Sequence, residues 1–441
     1  MWWGFLVGLH NSCYNGAMKR IKVFLITLFI VVLLGGLVIA MLGAGNNRAY
    51  QANVSDDLVI DVEVANGEDA GAVEDVLVLD FGTQDADAMT DDGDQDAKEL
   101  TGYERDLAMY EGAERTSVIR PASDEQVTIT FAGDVLFDPG YAIYSTYKLH
   151  GSNIENSIDT SVLKIMRDSD IMMINNEFPY SDRGEPQPDK TYTFRAPTST
   201  VSILDDMGVD IVSVANNHTF DYGEVAFVDT INTLENAQMP YVGAGMNIEE
   251  AVKPYYFVAN GMRIAIVGAT QIERNSNPNT RGATETKPGV FRCLDPELLC
   301  QAISEAKANS DFVILYIHWG TESVDTLDWC QTQQDHLYVE AGADAIIGAH
   351  PHCLQEIGYI DGVPIVYSLG NFWFNSKAVD TCLVTLTLSK EGIDSIQFIP
   401  CLQVGCSVRE ASAEDRSRII TYMNSISTRA IIDENGFVSP R

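Results

Sequence analysis

The chain has 441 residues, 46% of them hydrophobic, which is enough for one large or two small folded domains. Its net charge at pH 7 is −35, and 20 acidic residues against two basic ones lie between Asp56 and Glu114. So negative a surface argues against direct binding of nucleic acid.

The longest apolar run lies near the N-terminus. Residues 18–45 read MKRIKVFLITLFIVVLLGGLVIAMLGAG, in which three basic residues precede about 22 nearly unbroken apolar ones, long enough to cross a membrane. The basic residues predict that the chain after residue 45 is extracytoplasmic, with residues 1–17 a short cytoplasmic tail or an upstream start. A cleaved signal peptide is the alternative, but the run is longer than a usual signal core and no clean cleavage motif follows. We therefore expect a single-pass signal-anchor in the cell membrane.

Residues 46–121 are rich in Asp, Glu, Ala and Gly and contain few aromatic residues. This composition is typical of a solvated, disordered acidic linker. Two short runs in it, DLVIDVEV and EDVLVLDFG, could pair locally.

Residues 122–408 are expected to form one domain, with residues 409–441 as a C-terminal tail. Short apolar runs such as VTITFAGDV and DFVILYIHWG alternate with helix-like stretches such as GEVAFVDTINTLENAQ. This alternation predicts an α/β fold with a mostly parallel or mixed sheet. Near the end, TCLVTLTLSKEGIDSIQFIPC predicts an antiparallel hairpin at a sheet edge.

The predicted strands end in polar side chains that can bind a metal or move a proton. In open α/β folds, ligands gather at the carboxyl ends of strands, where side chains from several strands converge. The residues at or just after these ends are Asp134, Glu177, Asn217, His218, Asp221, His318, His350 and His352.

Each of these residues also has an ordinary structural interpretation. A lone Asp after a strand commonly caps a helix, and Asn-Asn-His can be a turn. The spacing of His350 and His352 is more suggestive, because two imidazoles two residues apart face one side in extended structure. Five strand ends carrying such residues together favour a shared site.

The candidate ligands are nitrogen and oxygen donors without cysteine. Such a set suits a divalent ion of the Mn, Fe, Zn or Mg type and does not distinguish among them. Two ions about 3.5–4 Å apart, bridged by a carboxylate, form a known clamp for hydrolysis.

Six motifs in order, FAGDVLF, NNEFP, ANNHTFDYG, IHWGTE, GAHPH and YSLGNFWF, resemble the CapA/PgsA family. Its members are capsule and poly-γ-glutamate biosynthesis proteins. The resemblance implies a calcineurin-like metallophosphoesterase fold, a sandwich of mixed sheets flanked by helices, over nearly all of residues 122–408.

The resemblance also implies roles for the strand-end residues. Asp134 would belong to a first metal site, Glu177 would be the bridging carboxylate, and His352 would return to the first site. Asn217, His318 and His350 would complete a second site. His218 would then act as general acid or stabilise an oxyanion. Apart from the resemblance, Asp221 is expected either to orient His218 through a hydrogen bond or to serve as a turn or cap residue.

One position departs from the pattern of the broader superfamily. Leu136 stands where that superfamily has a metal-binding histidine. The first site is therefore one ligand short and is expected to be weak, exchangeable or empty. Asp138 would compensate only if the chain bends back.

Two further residues are candidates for substrate binding. Arg195, in TYTFRAP, would contact an anionic group, or else pair with a local carboxylate. Asn371, in GNFWF, is expected to line the site.

The leading expectation is a membrane-anchored extracytoplasmic CapA-type protein with a metal-dependent phosphoesterase-like hydrolase domain. Its partners would be an anionic capsule polymer or phosphoester substrate and membrane synthase subunits. The alternative is a non-catalytic membrane subunit of a polymer synthesis or export complex, with a vestigial metal site.

Overall fold

The structure is a computed structural model that describes residues 49–54, 60–65, 101–272 and 281–441. The chain divides into two units, Met1–Asp96 and Ala97–Arg441. In the first unit, β1 (Ala49–Val54) pairs with β2 (Ile60–Ala65) in antiparallel fashion, so part of the predicted disordered linker forms a hairpin. The predicted anchor at residues 18–45 lies outside the described residues. Within the described ranges, no helix combines the length and apolar character needed to span a bilayer.

The second unit contains nine α-helices and nineteen strands among its described residues. The helices are α1 (Gly102–Tyr110), α2 (Ala142–Leu149), α3 (Thr160–Asp168), α4 (Ile203–Met207), α5 (Gly223–Asn236), α6 (Ile248–Ala251), α7 (Glu297–Ala308), α8 (Trp329–Glu340) and α9 (Ala413–Ile426). Short 3₁₀ turns lie at Ile154–Asn156 and Thr198–Thr200.

The strands of this unit are β3 (Thr116–Val118), β4 (Val127–Val135), β5 (Ile171–Asn176), β6 (Ile211–Ser213), β7 (Tyr241–Val242), β8 (Ala244–Gly245), β9 (Tyr255–Ala259), β10 (Met262–Thr270), β11 (Gly289–Val290), β12 (Phe312–His318), β13 (Ala345–Ala349), β14 (Ile357–Ile360), β15 (Val363–Val366), β16 (Asn371–Trp373), β17 (Val379–Ser389), β18 (Gly392–Val404), β19 (Ser407–Glu410), β20 (Ala430–Ile432) and β21 (Val438–Pro440).

Two large mixed sheets organise the unit. Sheet A has the order β14-β15-β13-β12-β10-β9-β3. Sheet B has the order β19-β18-β17-β4-β5-β6-β7, with β16 added beside β4. Parallel pairs lie at the centre of both sheets, namely β10-β12-β13 in sheet A and β4-β5-β6 in sheet B.

The apolar pattern of the central strands explains why both sheets are covered on both faces. Side chains alternate between the two faces of a strand. In β5, Met173 joins an apolar cluster shared by both sheets, whereas Met172 joins a cluster with α3 and α5. In β10, Ile264 enters the shared cluster and Ala265 packs in the cluster that includes α7. The fold is therefore the expected α/β sandwich, with helices outside two sheets.

The folded unit extends beyond the limits of 122 and 408 that we placed from composition. At its N-terminal side, β3 adds a parallel strand beside β9, and Asp106 of α1 accepts a hydrogen bond from the amide of Gly261 at 2.8 Å. At its C-terminal side, Ile419 and Met423 of α9 are buried in the cluster between the sheets. Strand pairing and a hydrogen bond bring in the N-terminal segment, and apolar packing brings in the C-terminal one; the charge pattern reveals neither.

Several local predictions agree with the structure. The stretch DWCQTQQDHLYVEAG contains α8, which begins where the Asp328 carboxylate accepts from the amides of Cys330 and Gln331 at 2.9 and 3.1 Å. The predicted hairpin is β17-β18, paired in antiparallel fashion. It does not lie at the edge, because β17 also pairs with β4 and β19 extends the sheet beyond β18.

Candidate metal centre

The candidate ligands lie where the carboxyl ends of the central strands of both sheets meet. Asp134 is the penultimate residue of β4, and Glu177 directly follows β5. Asn217 follows β6 after a short turn, all three in sheet B. In sheet A, His318 is the last residue of β12 and His350 directly follows β13. The parallel register brings these ends to one rim, as the sequence predicted.

Glu177 is at the centre of the cluster. Its side chain is fully buried, and its Oε1 atom has no hydrogen-bond partner. Three imidazole Nε2 atoms surround this oxygen, those of His218 at 3.8 Å, His318 at 3.9 Å and His352 at 3.8 Å. A buried carboxylate oxygen without a partner is costly unless a bound group compensates it.

Two sets of potential ligands share this glutamate. One comprises Glu177, His318 and His350, and the other comprises Asp134, Glu177 and His352. In each set one ligand atom per residue lies within 4.8 Å of the others. A carboxylate common to both sets is the arrangement expected for a bridging ligand.

The set of Glu177, His318 and His350 also includes the side-chain amide of Asn217. The Oδ1 atom of Asn217 lies 2.9 Å from His318 Nε2, and His350 Nδ1 lies 3.0 Å from the same His318 atom. Three potential ligand atoms, one from each of three chain segments, therefore lie close together. Asn217 thus lies beside His318 and His350, and its role as a metal ligand stays a prediction.

In the set that contains Asp134, His352 contacts both Asp134 and Asn371. Its Nδ1 atom lies 3.1 Å from Asp134 Oδ2 and 2.9 Å from Asn371 Oδ1. Asn371 begins β16, which is paired in parallel with β4 at Asp134. Asn371 thus lines the centre, as expected.

The two histidines of GAHPH do not converge through extended backbone, contrary to our expectation. β13 ends at Ala349, and His350 and His352 have positive φ angles of 102° and 56°. Non-glycine residues seldom adopt such angles, and when they do the site commonly has a functional reason. A turn, rather than the alternation of a strand, brings both rings to the same rim.

His218 faces the centre opposite a carboxylate that holds its other nitrogen. His218 Nδ1 donates to Asp221 Oδ2 at 2.6 Å, while Nε2 points toward Glu177. The ring of Phe194 stacks on the imidazole with a centroid distance of 4.1 Å. His218 is therefore oriented on both its edge and its face.

Burial and neighbouring charge shift the pKa values of the centre in opposite directions. Burial, together with the negative charge of Asp134, raises the pKa of Glu177 well above its usual range. Burial also lowers the pKa values of His218, His318 and His350. Burial opposes protonation of His352 as well, but its contact with Asp134 prevails and raises its pKa. Burial disfavours the charged form of each group, and the carboxylate of Asp134 offsets this only for His352.

The residues present fit a divalent ion. Asn217, His318 and His350 would hold one ion, Asp134 and His352 would hold another, and Glu177 would bridge them. The unpartnered Glu177 Oε1 atom is the observation that carries this fit, since a cation would satisfy it. The donors are nitrogen and oxygen only, as in sites for Mn, Fe, Zn or Mg.

Leu136 and Asp138 do not contribute to the centre. Leu136 is 1% exposed and packs in the apolar cluster of the helix-covered face of sheet B. Asp138 accepts hydrogen bonds from the amides of Gly140 and Arg195 instead of bending back. Neither residue therefore joins Asp134, Glu177 and His352, and the weakness of this site stays a prediction.

Arg195 lies beside the centre rather than in it. Its guanidinium donates to the carbonyls of Arg183 and Gly184 at 3.0 and 3.2 Å and stacks over the Tyr222 ring at 4.1 Å. It lines a pocket of about 340 Å³ together with Asp138 and Asp182. It forms neither an ion pair with a local carboxylate among the described contacts nor a contact with the candidate ligands.

Sequence reasoning missed three residues of the centre. The Nδ2 atom of Asn175 donates to Asp134 Oδ1 at 2.8 Å and to Glu177 Oε2 at 3.1 Å, holding the two carboxylates together. Lys190 and Phe194 reach Asp221 from an irregular loop. Asn175 was detectable as a strand-end amide, but the loop residues follow no periodic pattern.

Comparison with known proteins places this site in a family. Residues 128–376 match the sequence model of the family described as "Bacterial capsule synthesis protein PGA_cap". The match spans more than half of the chain and contains every candidate ligand, so the chain belongs to this family of bacterial capsule synthesis proteins.

Two named relatives agree with this assignment. The chain is 32% identical over 297 residues to "PGA biosynthesis protein CapA" of Bacillus subtilis (strain 168), covering 66% of this chain and 76% of that protein. It is 30% identical over 336 residues to "Capsule biosynthesis protein CapA" of Bacillus anthracis, covering 72% and 79% respectively. The resemblance to the CapA family inferred from the six motifs is thus confirmed.

A solved structure gives only a distant likeness. The 5'-nucleotidase from Candida albicans SC5314 superposes with a TM-score of 0.34 at 12% identity, over 70% of this chain and 56% of that one. So low a score carries no argument about function.

Proposed function

We propose that this CapA-family chain is a metal-dependent hydrolase of the metallophosphoesterase type, acting in capsule or poly-γ-glutamate biosynthesis. The observation that carries the proposal is the buried, unpartnered Glu177 Oε1 atom shared by two sets of potential ligands. Structural carboxylates in a stable core have partners, whereas a bridging ligand is left unpaired when its ions are absent.

A bound divalent ion would supply Lewis acidity and a nucleophilic water at neutral pH. The protein residues would prepare the site for hydrolysis in two ways. Asn175 keeps Asp134 and Glu177 at a fixed separation by donating to both. The near-complete burial of the cluster excludes bulk water, which strengthens each electrostatic contact.

His218 would exchange the proton during the reaction. Asp221 holds its Nδ1 hydrogen, so Nε2 is the ring atom that faces the centre. In the neutral ring Nε2 would accept a proton from the attacking water, and the resulting imidazolium would donate it to the leaving group or stabilise a developing oxyanion. Phe194 prevents the ring from tilting away from the centre. Asp221 acts through His218 and is a positioning residue.

Arg195 is the feature that supports binding of an anionic substrate group in the pocket beside the centre, which Asp138 and Asp182 also line. Arg195 borders this pocket, and it lies one residue from Phe194, whose ring covers His218. We propose that the guanidinium contacts a phosphate or carboxylate of a capsule polymer or its precursor.

The experiment is metal analysis of the full-length protein, followed by turnover of an aryl phosphate with and without Mn²⁺. We expect retained metal and Mn²⁺-dependent turnover that His218→Ala abolishes. His336→Ala is the matched control, because His336 lies on α8 with 47% of its side chain exposed and contacts Asp335. Turnover that survives in His218→Ala would contradict the proposal.

The second candidate is a non-catalytic subunit that holds or exports the polymer. The observation that favours it is Leu136, which packs in the apolar core and offers no ligand at the position where the broader superfamily has a metal-binding histidine. A metal-free protein that binds poly-γ-glutamate without any turnover would support this candidate over the hydrolase.

We further propose that residues 18–45 anchor the chain, with the folded unit outside the cell membrane and in contact with membrane synthase subunits. The basic start and length of that segment support the proposal. Protease digestion of intact protoplasts should remove residues 101–441. Complete protection of that region would contradict it.

A further inference from the structure

We propose that Lys190 is a positioning residue, whose buried ammonium holds Asn217 and the Asp221–His218 pair in one arrangement at the candidate metal centre. This inference rests on the proposed function, since it assigns Lys190 a purpose at that same site.

Lys190 belongs to a loop that is closed at its base. Tyr180 bridges Ala196, and backbone hydrogen bonds join Ser181 N to Ala196 O at 2.8 Å and Ala196 N to Pro179 O at 2.9 Å. The intervening residues 181–195 form no helix or strand. A compact segment of this length with adjoining ends is an Ω-loop, a class often found at functional sites.

The Ω-loop is fastened onto the turn that carries Asn217 and His218. Gln187 donates from its backbone amide to the Asp221 carbonyl and from its side chain to the Phe220 carbonyl, both at 2.8 Å. Phe194 donates its amide to Asp221 Oδ2 at 2.7 Å and stacks its ring on His218. The loop therefore covers both the carboxylate and the imidazole of the pair.

Lys190 contacts the turn at two places, Asn217 and Asp221. Its Nζ atom donates to the carbonyl oxygen of Asn217 at 2.7 Å and forms an ion pair with Asp221 Oδ1. The side chains are 7% and 0% exposed, so solvent does not screen the pair. One cation thus links the backbone of a candidate metal ligand to the carboxylate that orients His218.

The geometry explains why a cation is placed there. Asp221 Oδ2 already accepts from His218 and Phe194, and Oδ1 is bound by Lys190. Because the carboxylate is held from both oxygens, it cannot rotate, and His218 keeps its direction toward Glu177. The bond to the Asn217 carbonyl likewise restrains the peptide that presents the Asn217 amide oxygen. Such outer contacts orient ligands and tune the bound metal.

The test is titration of the full-length protein with Co²⁺, followed by its visible absorption, which needs no turnover. We expect Lys190→Met and Lys190→Ala to bind Co²⁺ about 10- to 100-fold more weakly than the wild type. In Lys190→Ala, added n-propylammonium should occupy the vacated space and restore binding. In Lys190→Met the space is filled, and no restoration is expected. Lys164→Met is the matched control, because Lys164 is 73% exposed on α3.

Loss of Lys190 leaves Asp221 buried without its cation, which can unfold the protein. Lys190→Met combined with Asp221→Asn carries neither charge and serves if Lys190→Met does not fold. The proposal expects the same weak Co²⁺ binding in this double variant. Binding within about twofold of the wild type, in either Lys190→Met or the double variant, would overturn it.

The two proposals fail in different ways. If the wild type binds Co²⁺ but hydrolyses nothing, the hydrolase proposal fails while the effect of Lys190 on Co²⁺ still stands. If turnover is present and Lys190→Met binds Co²⁺ normally, the role of Lys190 fails alone. A wild-type protein that binds no Co²⁺ overturns both.

Discussion

The rim of strand ends and the Ω-loop of residues 181–195 meet at the same centre but are held in different ways. At the rim, Asp134 and His318 are positioned by the ladders of β4 and β12, whose neighbours fix their register. In the loop, Lys190 and Phe194 are positioned by contacts with a single turn. The sheets therefore fix the positions of the candidate ligands, and the loop fixes the orientation of His218 and restrains the Asn217 peptide.

The strongest test of the rim is Glu177→Gln. Its carboxylate belongs to both ligand sets, so its loss should weaken metal binding by more than the roughly 10- to 100-fold typical of outer contacts. The metal-free protein should become more stable, because a buried carboxylate with an unpartnered oxygen becomes a neutral amide. Elemental analysis and urea unfolding check the two effects. Unchanged metal content in Glu177→Gln would contradict the view that the strand-end residues determine metal binding.

Leu136→His tests whether the rim can be completed. Since Leu136 packs in an apolar cluster, we expect the imidazole to remain unpaired and to destabilise the protein by about 3–5 kcal/mol without adding metal. Leu136→Met conserves volume and should cost less than about 1.5 kcal/mol. A stable Leu136→His protein with tighter metal binding would show that the rim can recruit this position.

Asp221→Asn tests the loop side. The amide accepts less strongly from His218 and cannot form the ion pair with Lys190, so turnover should fall about 10- to 100-fold. Metal content should fall much less than in Glu177→Gln. Steady-state kinetics and elemental analysis, carried out on the same preparation, separate the two quantities. Equal loss of both would mean that rim and loop act as one unit.

The smallest expected effect concerns Asp210, which directly precedes β6. It lies at the amino end of that strand, whereas the candidate centre lies at the carboxyl ends. Burial raises the pKa of Asp210 to about 6. Its Oδ2 atom accepts from the Met172 amide at 2.8 Å. A raised pKa means that the contribution of this group to stability is present below about pH 4 and is lost as the pH rises through about 6.

Asp210→Asn cannot ionise and should avoid this loss. Relative to the wild type, it should gain roughly 1–3 kcal/mol of unfolding free energy between pH 4 and pH 7.5. Urea unfolding at the two pH values measures the gain. A difference between the two proteins that does not change with pH would contradict the assignment.

Much of the rim was predictable, because each candidate ligand lies at or just after the end of a strand whose apolar sequence is easy to recognise. Apolar, β-branched runs ending in Asp134 or His318 indicate both the strand and the end at which ligands gather. The limits of the folded unit were harder to predict. The strand β3 directly follows the acidic segment and has only three residues. Its pairing with β9, which the sequence does not reveal, makes it a strand.

Within the centre, the sequence pointed to the strand-end residues, and the tertiary structure determined how they approach one another and which loop residues join them. The approach of His350 and His352 depends on positive φ angles after β13 rather than on alternation along a strand. The partners of Lys190 lie 27 and 31 residues away along the chain.

The amino-acid order by itself determined the alternation of strands and helices, the nitrogen and oxygen donors at the strand ends, and the membership of the capsule synthesis family. These features depend on local periodicity and motif order, which a linear sequence displays directly. Only the tertiary structure decided that Glu177 Oε1 stands unpartnered among three imidazoles and that a buried lysine supports the Asn217–Asp221 turn. Both depend on contacts between segments distant along the chain, which form when the two sheets and the Ω-loop pack together.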